Sequence, residues 1–234
     1  MKNAIGILTL SLLCAAIVGC GVQGRIVQPR AAASPAIVPA GPAIDGALND
    51  PAWKLAPALT LGKIENGQPG KLTTTAHVAM DAENLYVAWN CVEGKTASIK
   101  APTTDRDGPL WNDDCVELFV APRPGKGYYH FIVNSKGVML DARCGAYGEE
   151  GTGWTSKAKV AARVVKDERW VVELAVPLSD LEAPSGPGQT WSLNLNRTRP
   201  LGPNVYVESS WSKAGTSRYA DGSTWGKLVD VKVP

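Results

Sequence analysis

From Leu72 onward the chain is a succession of short runs in which apolar and polar residues alternate, each closed by Gly, Pro, Asn or Asp. A period of two marks a strand with one face in a core, because successive side chains point to opposite sides. Such runs cover 72–81, 85–92, 115–121, 128–134, 138–142, 160–165, 170–176, 191–198, 205–211 and 225–233. Asp81-Ala82-Glu83-Asn84 and Lys166-Asp167-Glu168-Arg169 read as hairpin turns, as does Ser135-Lys136-Gly137. Only two helical turns are expected, one over Asn49-Asp50-Pro51-Ala52-Trp53 and one over Pro177-Leu178-Ser179-Asp180-Leu181. No longer helical period interrupts the series. The pattern predicts an all-β protein, an antiparallel β-sandwich of jelly-roll or immunoglobulin-like type.

The segment before these runs is of another kind. Lys2 precedes an apolar stretch over 5–18, too short for a comfortable membrane span and placed like a secretion signal. Ile17-Val18-Gly19-Cys20 resembles a bacterial lipobox, which implies cleavage before Cys20 and lipidation of Cys20. Residues 1–19 are then a lipoprotein signal peptide. Residues 20–42, rich in Ala, Pro, Gly and Val, are a flexible linker, and 43–234 are the folded domain. An exported chain held in the bacterial cell envelope by acyl chains, on either face, touches membrane only through that anchor.

The formal charge of +2 and the lack of a Lys/Arg run exclude a nucleic-acid footprint. The chain also lacks a phosphate-binding glycine loop, a dinucleotide fingerprint, a His-Glu-x-x-His motif and a Gly-x-Ser-x-Gly elbow. His77 and His130 are its only histidines, so a multi-histidine metal site is impossible. His77 lies mid-strand and reads as structural. Of the five cysteines, Cys14 and Cys20 fall in the leader and linker, which leaves Cys91, Cys115 and Cys144 and at most one disulfide among them.

The stretch Gly108-Pro109-Leu110-Trp111-Asn112-Asp113-Asp114-Cys115-Val116-Glu117-Leu118-Phe119 concentrates the chemistry. Val116, Leu118 and Val120 share one strand face, suited to a core. Cys115, Glu117 and Phe119 share the other, and Trp111 sits in the loop just upstream. On 128–134, Tyr129, Phe131 and Val133 take the core side, while His130, Ile132 and Asn134 take the face that carries Glu117. Tyr219, in Ser217-Arg218-Tyr219-Ala220-Asp221-Gly222, has no evident core partner. Trp111 and Tyr219 are therefore expected as two facing walls with Glu117 beneath, an arrangement that suits the flat C–H faces and hydroxyls of a sugar. Hydrolysis would need two carboxyls about 5–10 Å apart. Asp113 and Asp114 are adjacent and splay in an extended chain, and Glu149-Glu150 lies in a Gly-rich loop. A non-catalytic domain fits better.

The chain resembles the family 9 carbohydrate-binding modules, β-sandwiches related to the DOMON domains. The likeness rests on Ile44-Asp45-Gly46 with Trp53, on Asp81 to Ala88, and on Trp111 to Phe119. It continues through Tyr129-His130-Phe131-Ile132-Val133-Asn134, Trp170 to Pro177, and Trp225-Gly226-Lys227-Leu228. The resemblance implies binding of a poly- or oligosaccharide by an aromatic clamp, with Trp111 and Tyr219 as walls, Glu117 as the carboxylate and Trp225 in the core. Members can carry an Arg where this chain has Ile132, so His130, Asn134 or Arg143 would have to supply the polar contacts. No cofactor is implied beyond a structural calcium, for which Asp45, Asp81, Asp105 and Asp107 are loop acids of the right type. Related sandwiches hold haem in electron-transfer subunits; Met80, Met139 and His130 are the axial candidates here. A third class is an accessory domain with glycoside hydrolase activity.

Overall fold

The expected alternation becomes paired strands nearly everywhere it occurs. A computed structural model describes residues 31–64, 66–145, 150–151, 153–212 and 219–234. The strands are β1 (Ala32–Ala33), β2 (Ala36–Ile37), β3 (Leu59–Lys63), β4 (Thr74–Met80), β5 (Asn84–Val92), β6 (Cys115–Ala121) and β7 (Tyr128–Asn134). They continue as β8 (Met139–Cys144), β9 (Glu150–Gly151), β10 (Lys159–Val165), β11 (Arg169–Pro177), β12 (Gly186–Gly202), β13 (Val205–Ser210) and β14 (Gly226–Val233). Among the described residues one α-helix, α1 (Pro51–Leu55), and three short 3-10 turns interrupt them: Asp50 caps α1 by accepting from the Ala52 amide, and Pro51 supplies a preset φ at its start. Among the described residues no helix is long and apolar enough to cross a membrane.

The strands form two antiparallel layers. One runs β10-β11-β5-β4-β3; the other places β13 and β14 on successive lengths of β12, followed by β6, β7, β8 and β9. Strand β3 belongs to both layers, since Gly62 and Lys63 pair with Ser210 and Ser209 of β13. Between the layers lie Val116, Leu118, Val120, Phe131, Trp191 and Leu195 from one side and Val87, Trp89, Trp170 and Leu174 from the other. Full burial of such side chains stabilises by roughly 1.5–3 kcal/mol each, which makes this interior the main source of stability. The all-β sandwich is as expected.

The linker reading needs correction for its second half. β1 pairs in parallel with β14, β2 pairs in parallel with β4, and Val38 is buried. Residues 32–38 therefore pack on the sandwich instead of forming a free tether up to residue 42. The Ala-Pro composition hid this, because two-residue strands leave no periodicity to read. Residues 1–30, with the expected signal, Cys14 and Cys20, lie outside the described residues. Cys91, Cys115 and Cys144 are all buried, without a disulfide among them.

The outer face of the first layer is sealed by Trp53, buried against Ala79, Tyr86, Ala88 and Ala175. Glu173 of β11 organises this seal. Its carboxylate is fully buried and accepts from the backbone amides of Asp45, Gly46 and Leu48 and from the Trp53 indole, at 2.6–3.0 Å. Gly46 adopts φ 77° there, with the Ala162–Arg163 backbone pressed close, so a side chain would strain the turn.

Candidate functional site

The outer face of the second layer carries the residues singled out from sequence. The loop leading into β6 is pinned on both sides of Trp111. Leu110 is fully buried against Cys115 and Ile132. Asp113 accepts from the Thr103 amide and hydroxyl and from the Asn134 amide group. Asp114 accepts from the Lys100 amide. With its neighbours locked inward, the indole of Trp111 is left in solvent, 54% exposed. Asn112 beside it accepts a long hydrogen bond, 3.5 Å, from the hydroxyl of half-exposed Tyr206.

Behind Trp111, β6 and β7 bring Glu117 and His130 together. His130 Nε2 lies 2.9 Å from Glu117 Oε2, and the imidazole stacks on Phe119 with centroids 3.9 Å apart and planes 15° from parallel. The second carboxylate oxygen of Glu117 accepts from Thr198 at 3.5 Å. Glu117 is 5% exposed and the His130 ring partly so. Around them Cys115 and Tyr219 are pushed well above their ordinary pKa values by burial, with the Glu117 charge adding to both.

Beside His130 a pocket of about 320 Å³ opens between Trp111 and Trp154. Ile132, Leu140 and Ala142 give it an apolar floor; His130, Asp107, Asp141 and Thr155 supply polar atoms. Asp141 is already engaged, by Arg106 at 2.6 Å and by the Ser156 amide. Trp154 is held by Phe131 edge-on and by the tilted ring of Tyr129, which fixes that wall. An aromatic face, an apolar floor and a few polar atoms suit a small amphipathic ligand such as a sugar ring.

Of the six binding candidates, the structure brings Trp111, His130 and Glu117 together, keeps Tyr219 near Glu117 but buried, and sets Asn134 and Arg143 to other tasks. Tyr219 is not an open wall. Its ring is buried with Phe119, Ala121, Ile64 and Trp225, its hydroxyl donates to the Arg197 carbonyl, and its own carbonyl accepts from the Trp225 indole. Sequence offered no partner for Tyr219 because Ile64 and Trp225 reach it only through the fold. Asn134 is likewise fully buried, tying Thr103 to Asp113 and turning the 135–138 backbone. Arg143 lies away from Glu117, in an exposed ion pair with Glu182 at 2.7 Å. Glu117 is not among the pocket-lining residues; it stands behind His130. Trp154, Leu140 and Ala142 escaped the sequence reading. Trp154 alone carried a signal there, as a large aromatic closing a Gly-rich loop.

The other candidates separate as well. Asp113 and Asp114 are buried. Burial raises the Asp114 carboxyl above its ordinary pKa. Glu149 lies outside the described residues, as does the side chain of Glu150. Met80 and Met139 belong to the core between the layers, whereas His130 is on the opposite, outward face of its sheet. Asp45 and Asp81 are used in turns, Asp81 accepting from the Glu83 and Asn84 amides and the Tyr86 hydroxyl. Among the described residues no three His, Cys, Asp or Glu side chains are grouped to hold a metal ion.

The model of the carbohydrate family 9 binding domain-like family matches residues 44–232. Among solved structures, one similar chain is a protein from Bacteroides uniformis proposed to bind carbohydrate, at 18% identity and TM-score 0.68, covering 86% of this chain and 99% of that one. A family 9 carbohydrate-binding module from Caldicellulosiruptor kristjanssonii, in complex with cellotriose, is similar at 14% identity and TM-score 0.64, covering 86% and 94%. The same organism's module in complex with glucose gives 14% identity and TM-score 0.65, covering 87% and 97%. No curated protein matches.

Proposed function

The chain belongs to the carbohydrate family 9 binding domain-like family, and from that membership we propose that it is a non-catalytic module gripping one sugar unit of a poly- or oligosaccharide in the Trp111 pocket. The observation that carries this reading is the solvent-facing indole of Trp111, held over an apolar floor by neighbours that are themselves locked. A pyranose ring laid on an indole buries C–H surface without forming a covalent bond, and its rim hydroxyls remain free for polar atoms at the pocket edge. The glucose and cellotriose carried by the solved relatives support a ligand of this class. The clamp is asymmetric, with Trp111 exposed on one side and Trp154 braced on the other. An open site of this size corresponds to a Kd between micromolar and millimolar, roughly −8 to −4 kcal/mol.

The lipobox-like Ile17-Val18-Gly19-Cys20 supports an anchored module that holds glycan at the cell envelope. Labelling with radioactive palmitate would mark the native chain and fail on Cys20→Ser.

The decisive test is affinity retention on a panel of polysaccharides with Trp111→Ala. Retention is expected to disappear while the thermal transition stays within about 2 °C, since the ring contributes little burial. Undiminished retention would sink the reading, and collapse of the fold would show Trp111 to be a core residue.

A further inference from the structure

We propose that His130 is the hydrogen-bond acceptor of the pocket, set in one tautomer by Glu117, and that it selects ligands presenting a hydroxyl hydrogen at that point. The inference rests on the glycan reading above and adds to it the atom that discriminates. A carboxylate only accepts, so the 2.9 Å contact from Glu117 requires the proton on Nε2. In a neutral imidazole the other nitrogen then carries a lone pair. Nδ1 has no partner among the described residues, while the ring lines the pocket.

The surroundings hold this arrangement. Stacking on Phe119 fixes the ring plane. Glu117 is buried, so its hydrogen bond is not diluted by water. The other charged groups at the pocket, Asp107 and Asp141, face Arg106, at 3.8 Å and 2.6 Å from its guanidinium. The floor of Ile132, Leu140 and Ala142 offers a hydroxyl nothing, which leaves the His130 nitrogen and the Thr155 hydroxyl as the uncharged side-chain acceptors of the lining. A hydroxyl can donate to the His130 nitrogen, whereas a hydrogen or a fluorine in its place cannot. Glu117 acts through His130, as a positioning residue.

The test has two arms on the intact protein. In the first, nitrogen NMR of the unliganded protein at pH 7.5 reads the His130 tautomer: a protonated Nε2 and a bare Nδ1 are expected, with mixed tautomers in Glu117→Leu. A doubly protonated ring, or a protonated Nδ1, overturns the proposal. In the second arm, the methyl glycosides of glucose, galactose, mannose and xylose are titrated, followed by the monodeoxy series of whichever binds. One deoxy position is expected to weaken binding about tenfold in the native protein and to have no further effect in His130→Phe, which keeps the stack. His130→Gln, which restores an acceptor oxygen, should recover part of the discrimination. Binding without any deoxy position coupled to His130 overturns this proposal and leaves the glycan reading intact. No binding to the glycosides, together with no retention on the polysaccharide panel, overturns both.

Discussion

At the scale of single residues, position in the fold decides what each carboxylate does. Glu173 shows this most plainly: four N–H groups converge on its two oxygens, two on each. In Glu173→Gln either orientation of the amide turns an NH₂ toward a pair of donors. The variant is expected to lose about 3 kcal/mol, read as a lower urea midpoint at unchanged m. A loss below about 1 kcal/mol would show that the amide is tolerated. Asp114 works in the opposite direction. Burial raises its folded pKa, outweighing the Lys100 amide and the Arg197 and Arg199 charges. A raised pKa means that the folded state holds the proton more tightly, so stability is full below the unfolded value near 3.8 and falls as pH rises through the folded one. Asp114→Asn should therefore raise the melting temperature at pH 7 and not at pH 3. An equal gain at both would assign the effect to packing.

At the scale of elements, the sequence was most informative where one strand face is apolar and least informative where a segment is defined by its partner. Cys115–Ala121 and Tyr128–Asn134 match their alternation to the residue, and the faces of Glu117 and His130 followed from it. Trp111 was legible as an exposed aromatic because nothing in the local pattern of its loop required burial; that Asp113 and Asp114 turn inward beside it emerged only in the fold. Tyr219 was not legible, since burial against Ile64 depends on contacts more than a hundred residues apart. β1 and β2 were missed for the same reason: their pairing partners are Lys227–Leu228 and Ala79–Met80. A chain beginning at residue 43 is accordingly expected to be less stable than one beginning at residue 31, by about 1.5–3 kcal/mol for Val38 alone. Chemical denaturation of the two would measure this, and equal midpoints would mean that the segment adds nothing.

At the scale of the whole molecule, the three thiols beyond residue 30 are all buried, Cys91 between the layers and Cys115 on the outer face of the second, beneath Leu110. Burial holds the Cys91 pKa up to about 11, and Cys115 and Cys144 are buried as well. In a chain starting at residue 31, Ellman's reagent at pH 8 should find no reactive thiol until denaturant is added, and then three. Early labelling at native stability would reveal a local opening of the sandwich.

The order β1-β14-β12-β6-β7-β8 spreads the second layer over five spacings, about 24 Å at the usual distance between strands. The first described strand and the last pair at the β1–β14 margin, while His130 on β7 and Leu140 on β8 stand three and four strands away from β14. A fluorescent protein, a resin linker or a catalytic neighbour spliced to either end would hang behind the module like a handle, leaving its mouth unobstructed.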